Sequence, residues 1–140
     1  LSIWSTPRPC VTPTSQQQSG RTKRSCMQPD PRTYLWDARE AASNVAAFVA
    51  GRSWEDYEAD LMLRSAVERQ FVIIGEALNQ LRRTDEPTAD RVPDLSRIVA
   101  FRNVIVHAYA AVDDCLVWEV ATERVPSLIA TFQEILDGWR

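Results

Sequence analysis

The stretch of this 140-residue chain whose residues could most readily carry out catalysis is RNVIVHAY, residues 102–109. It contains His107, the single histidine of the sequence, with Arg102 five positions before it and Tyr109 two positions after it. An imidazole can take a proton from a ribose 2′-hydroxyl or give one to a leaving 5′-oxygen. A guanidinium can hold a phosphate and stabilise the charge that develops in the transition state. The pair therefore suits metal-free cleavage of RNA, although His107 could also be an ordinary polar residue near a helix end.

The cysteines indicate neither a metal site nor a disulfide framework. Cys10, Cys26 and Cys115 are odd in number and form no Cys-x-x-Cys pair, and no second histidine is present. No apolar run approaches the roughly 18 residues of a membrane span, and the N-terminus lacks the apolar segment of a secretory signal. We therefore expect a cytoplasmic protein with reduced thiols, without a metal or other cofactor and without a membrane partner.

Hydrophobic periodicity predicts the elements that must position these residues. Four helical segments are expected, over residues 30–51, 60–83, 93–109 and 111–139. Asp30 should cap the first, and Pro126 should kink or break the last. Four helices with short connections form an all-α antiparallel four-helix bundle. The principal core positions predicted for the second and fourth helices are Leu63, Val67, Phe71, Ile74, Leu78, Leu81, Leu116, Val120, Leu128, Ile129, Phe132, Ile135 and Leu136.

The third helix places Arg102 in an unusual position. At about 100° per residue, its apolar stripe consists of Leu95, Ile98, Val99, Ile105 and Val106. Arg102 falls in the middle of that stripe and Tyr109 beside it, whereas His107 lies well away from it. A core-facing guanidinium needs a partner or a cavity. We therefore expect either a structural ion pair with Glu68 or Glu76 or a functional arginine.

Helix geometry separates the two candidate catalytic groups. Five residues correspond to about 7.5 Å of rise and about 140° of rotation, so one straight helix does not easily bring Arg102 and His107 together. A symmetric dimer could supply a second copy of the pair. The second helix also carries Met62, Val72 and Ile73 opposite its core face, which makes it a candidate subunit contact.

Charge divides the chain into two parts. Residues 1–28 are rich in Pro, Ser, Thr and Gln and contain four basic residues without an acidic one, which predicts a disordered basic tail. This tail could be non-native, with Met27 as the natural start. Residues 29–140 should form the bundle. Residues 27–140 hold 12 basic and 19 acidic residues, a net charge of −7, which disfavours broad electrostatic binding of nucleic acid.

RNVIVHAY resembles the Arg-Asn-x-x-x-His-x-Tyr motif of HepT proteins, which are minimal HEPN-domain toxins of prokaryotes. VERQFVIIGEALNQL is similar to the long second helix of that family, and AVDDCLVWEVATERVPSLIATFQEIL to its closing helix. The resemblance covers roughly residues 30–138. It implies a HEPN-like bundle that forms homodimers or higher homo-oligomers, with the motifs of two subunits facing one cleft.

The resemblance also implies a function. Arg102 and His107 match the catalytic pair of a metal-independent endoribonuclease toxin, with tRNA as one candidate substrate. The usual partner is the MntA nucleotidyltransferase, an antitoxin that transfers AMP from ATP to the motif tyrosine, here Tyr109. We expect Asn103 and Glu76 to support the site. The alternative is a non-catalytic, substrate-binding or regulatory subunit of a minimal nucleotidyltransferase.

Overall fold

The computed structural model describes residues 30–139, and the predicted tail over residues 1–28 lies outside this range. The regular helices are α1 (Pro31–Val49), α2 (Trp54–Ala59), α3 (Leu61–Thr84), α4 (Glu86–Ala89), α5 (Leu95–His107), α6 (Asp114–Glu119) and α7 (Val125–Asp137). A 3-10 turn, Tyr109–Ala111, follows α5, and a π turn, Val120–Arg124, joins α6 to α7. Helices α1, α3 and α5 and the interrupted helix α6–α7 are the four long segments of the bundle. The all-α fold class predicted from the sequence is confirmed.

Helix α3 is the centre of the bundle. It packs against α1 on one side and against α5 on the other, while α1 also packs against α7. Arg39 of α1 donates to Gln133 of α7 and Arg32 lies over the Trp139 ring, so these two helices run antiparallel. The core positions predicted for α3 are all buried, because its apolar residues recur on one side over six turns.

Polar side chains cap the starts of several helices, including the one at Asp30 that the sequence predicted. The Asp30 carboxylate accepts a hydrogen bond from the Arg32 backbone N–H at 2.9 Å, ahead of Pro31. Ser53 and Asp56 form a reciprocal capping box at α2. Asp113 accepts from the N–H groups of the first turn of α6. These caps satisfy backbone donors that have no partner within the helix.

The last helix is interrupted next to Pro126, as the sequence predicted. The Val125 N–H donates to the Val120 carbonyl five residues back, which is a π-type hydrogen bond. Pro126 has no N–H and cannot continue the ladder to Thr122. In the same turn the Thr122 hydroxyl donates to the Trp118 carbonyl at 2.9 Å. The wider π turn therefore accommodates the proline without ending the segment.

Three details of the prediction were wrong. Val106 and Leu116 were predicted in the core, but they are 40% and 45% exposed. The third helix ends at His107, since Ala108 leaves the helical region with φ −112° and ψ 39°. The helical wheel therefore does not extend to Tyr109. No helix within residues 30–139 is long and apolar enough to span a bilayer.

Candidate active site

Arg102 lies on the side of α5 that faces α3. Leu95, Val99 and Ile105 of the same helix are buried around it, as the predicted stripe requires. The stem of Arg102 lies against the α3 backbone at Gly75, where an ideal Cβ would come within 2.6 Å of the arginine Cγ. The Arg102 side chain is only 23% exposed. The arginine is therefore packed between the two helices, with its charged end directed to their shared edge.

Two side chains hold the guanidinium. Nη2 of Arg102 donates to Oε2 of Glu76 in an ion pair, and Nη1 donates to Oδ1 of Asn103. The other Glu76 oxygen accepts from Nε2 of Gln80 at 3.1 Å. The Arg102 Nε is buried without a partner among the described residues. The structure thus brings together Arg102, Asn103 and Glu76, and it identifies Glu76 as the ion-pair partner of Arg102.

Glu68, the other acid considered for Arg102, belongs to a different cluster. Burial raises the pKa of the Glu68 carboxyl, and the Asp114 charge raises it further, while Arg64 acts in the opposite direction. Arg64 approaches Asp114 with an N···O distance of 3.6 Å. The phenol of Tyr57 is fully buried beside this cluster, and desolvation raises its pKa strongly. These charges lie at the junction of α2, α3 and α6 and form no ion pair with Arg102.

His107 and Tyr109 lie beyond this packed arrangement. His107 is the last residue of α5, and its side chain is exposed. It makes no side-chain hydrogen bond or ion pair with any residue of the described range. Tyr109 lies in the 3-10 turn that follows, and only its backbone belongs to the described part of the chain. Arg102 is therefore held in place, while His107 is accessible at the end of the same helix.

Neither of two surface cavities includes the motif. A groove of about 510 Å³ between α5 and α6–α7 is lined mainly by apolar residues, among them Phe71, Phe101 and Leu128. A second cavity of about 340 Å³ lies around Arg82 and Leu95. Within residues 30–139 no three His, Cys, Asp or Glu side chains are grouped to hold a metal ion. Neither Arg102 nor His107 lines either of these two cavities.

One residue of this arrangement, Gly75, was not predicted from the sequence. Its signal was present, because a lone glycine in the middle of a long helical pattern usually has a packing reason. Gly75 stands in VIIGEAL, between strong helix formers and next to Glu76. Only the pairing of α3 with α5 shows that the residue opposite it is Arg102.

Comparison with known proteins assigns the chain to a family. The model of the family "Ribonuclease HepT-like" matches residues 38–135. A protein of Methanocaldococcus jannaschii named "Putative RNase" is 30% identical over 99 residues, which cover 71% of this chain and 90% of the relative. A "Putative RNase" of Caldanaerobacter subterraneus subsp. tengcongensis is 31% identical over 106 residues, which cover 76% of this chain and 94% of the relative.

A third relative carries the family's own name. The "Probable ribonuclease HepT" of Thermococcus cleftensis is 28% identical over 109 residues, which cover 78% of this chain and 98% of that protein. No solved structure gives a significant match. The family model spans the packed part of the bundle from α1 to α7, including the whole RNVIVHAY motif. This chain belongs to the HepT-like ribonuclease family.

Proposed function

We propose that this ribonuclease is a metal-independent endoribonuclease toxin of a type VII-like toxin–antitoxin pair, acting in the cytoplasm with Arg102 and His107 as its catalytic residues. The observation that carries the proposal is the fixed guanidinium of Arg102. Glu76 and Asn103 hold it at the edge shared by α3 and α5, on the helix that ends at the accessible His107. A preorganised cation and an accessible imidazole are the two groups that metal-independent RNA cleavage requires.

The chemistry needs only groups that the RNA and this chain supply. The ribose 2′-oxygen attacks the adjacent phosphorus, and the bond from phosphorus to the 5′-oxygen breaks. His107 takes the 2′-hydroxyl proton or gives one to the 5′-oxygen. Arg102 stabilises the charge on the phosphorane-like transition state through paired N–H donors. The products are a 2′,3′-cyclic phosphate and a free 5′-hydroxyl.

The site is completed by a second subunit. Arg102 and His107 are about 7.5 Å apart along one helix and about 140° apart around it, so each pairs more readily with its counterpart from another chain. Val104 and Val106 are 50% and 40% exposed on the same helix, which provides an apolar surface for that contact. Homodimers or higher homo-oligomers are the expected state.

Mixing subunits tests this composite site. Each of the two variants, Arg102→Ala and His107→Ala, should be inactive alone. If the site takes its arginine from one chain and its histidine from the other, the refolded equimolar mixture should recover about a quarter of wild-type activity, because half of the dimers are mixed and each regains one of two sites. A mixture that forms mixed dimers without recovering activity contradicts the composite site.

Tyr109 is the proposed point of control. A nucleotidyltransferase partner would bring ATP, the Tyr109 oxygen would attack the α-phosphorus, and pyrophosphate would leave while the phenol proton passes to a base. The resulting phosphodiester follows Arg102 by seven residues and would compete with RNA for its guanidinium. Co-expression with the partner should add AMP increments to the intact mass, and Tyr109→Phe should lose them. Increments that persist in Tyr109→Phe place the modification elsewhere.

The activity itself is tested on purified protein. The dimer is incubated with total RNA and with tRNA in the presence of EDTA, and the Arg102→Ala and His107→Ala variants are assayed in parallel. Cleavage that survives EDTA and is lost in both variants supports the proposal, and cleavage that is equal in the variants contradicts it.

One observation favours the alternative of a non-catalytic subunit of a minimal nucleotidyltransferase. Arg102 already has an intrasubunit carboxylate partner in Glu76. Under that alternative, His107→Ala would leave partner binding and any growth phenotype unchanged.

A further inference from the structure

Gly75 occupies the point of closest approach between α3 and α5. An ideal Cβ built at Gly75 would lie 2.6 Å from the Cγ of Arg102 and 3.4 Å from its Cδ, and closer still to its Cβ. Real Cβ atoms do not come within 3.0 Å of such neighbours. The atom that it would meet first is the arginine Cβ, which cannot move without the backbone of α5. Any side chain at position 75 therefore displaces Arg102 or its helix.

Backbone conformation does not explain this glycine. Gly75 lies in the middle of α3 with an ordinary helical backbone, where alanine would be intrinsically more favourable. Gly51 is different, because its φ of +72° is the reason for glycine and an added Cβ would meet nothing within 4 Å. Gly138 would accept a Cβ with ordinary contacts, the nearest being the Glu134 carbonyl at 3.5 Å. Gly75 is therefore distinguished by the arginine that it faces.

We propose that Gly75 is a positioning residue for Arg102, an inference that rests on the catalytic role proposed for that arginine. The missing side chain leaves a slot on α3 in which the aliphatic stem of Arg102 lies. Glu76, the next residue of the same helix, then meets the guanidinium at the end of that stem. The slot fixes the stem, the carboxylate fixes the charged end, and both belong to one turn of α3. Together they set the direction in which the guanidinium meets a phosphate.

The test is Gly75→Ala, with Gly138→Ala as the matched control. Steady-state cleavage of RNA is normalised to the folded fraction measured by circular dichroism. A displacement of about 1 Å at a catalytic group lowers turnover by about 100-fold, so Gly75→Ala should lower kcat by about 10- to 100-fold. KM should change by less than about threefold, because the rest of the RNA-binding surface is intact. Gly138→Ala should match the wild type.

A second measurement separates positioning from a general packing defect. In an Arg102→Gly background there is neither a guanidinium to misplace nor a Cβ for the new side chain to meet, so adding Gly75→Ala should leave the residual rate unchanged. A further loss there, or a Gly75→Ala enzyme with wild-type kcat, overturns the proposal. A different result would refute the proposed function itself, namely an Arg102→Ala variant that retains full cleavage activity.

Folding gives the third measurement. If Gly75→Ala lowers the melting temperature or prevents folding, adding Arg102→Gly should restore part of that loss, because it removes the atoms that the new Cβ meets. A double variant that is no more stable than Gly75→Ala alone shows that the slot does not hold the arginine stem, and overturns the proposal.

Discussion

Replacing Glu76 by glutamine keeps the size of the side chain and an acceptor oxygen but removes the charge that faces Arg102. The two side chains of this pair are 44% and 23% exposed, so the pair is neither a surface contact nor a buried one. Exposed pairs contribute about 0–1 kcal/mol, and removing one partner of a buried pair costs about 3–5 kcal/mol. Solvent screening at this exposure brings the expected loss to about 1 kcal/mol, or about 4 °C in melting temperature for a domain of this size.

A double-mutant cycle over Glu76→Gln and Arg102→Ala measures the coupling directly. We expect a coupling free energy of about 1 kcal/mol in urea denaturation, most of it retained in about 1 M NaCl, because a half-buried pair is screened less than an exposed one. Arg52→Gln is the control, since the Arg52–Asp60 pair is longer, at 3.8 Å, and its side chains are 46% and 41% exposed. The loss of unfolding free energy caused by Arg52→Gln should be small and should disappear in about 1 M NaCl.

Two results would refute this reasoning about Glu76. A coupling below about 0.2 kcal/mol would place the pair among surface contacts that contribute nothing measurable. In the RNA cleavage assay, Glu76→Gln should lower kcat by about tenfold because the guanidinium loses its fixed orientation. An increase in kcat would show instead that the carboxylate competes with the substrate phosphate, and would contradict the supporting role of Glu76.

His107→Gln should lower kcat by at least about 100-fold and leave the melting temperature unchanged, since the side chain is exposed and makes no hydrogen bond or ion pair within residues 30–139; a lower melting temperature alongside the lower kcat would indicate a structural role. Glu68 has a folded-state pKa raised above its ordinary 4.5, so it binds its proton more tightly when folded, and wild-type stability should fall as the pH rises through the window above 4.5. Glu68→Gln should remove that loss and raise the melting temperature at neutral pH, which thermal scans from pH 4 to 8 check; the same change of melting temperature with pH in both proteins would contradict it. Asp113→Ala should cost about 1 kcal/mol in urea denaturation because two N–H groups of α6 lose their acceptor, and no loss would mean that solvent replaces the cap.

The elements and their core faces follow from local pattern, whereas the partner of Arg102 does not. The apolar positions of α3 were predictable because one periodic stripe continues through the helix. Glu68 and Glu76 were equal candidates in the sequence, since both lie on α3 and the choice depends on how α5 sits against it. In the fold, α5 places Arg102 against Gly75, next to Glu76, which is a tertiary contact.

The end of α5 shows the same limit. Nothing in VHAYA marks the stop with a glycine or proline, so the periodic pattern was extended to Tyr109. The helix nevertheless ends at His107, and a separate 3-10 turn begins at Tyr109. The position of the Tyr109 backbone relative to Arg102 is therefore set by that turn and not by helical spacing.

The chemistry of the cleaved ends tests the central claim most directly. The purified protein cleaves RNA in the presence of EDTA, and mass spectrometry identifies the new termini. A parallel reaction with the His107→Ala variant serves as the control. A mechanism in which the 2′-hydroxyl attacks, assisted by His107 and Arg102, predicts 2′,3′-cyclic phosphate and 5′-hydroxyl ends, and no cleavage where the target ribose is 2′-deoxy. Products with 5′-phosphate ends, or equal cleavage by His107→Ala, would contradict it.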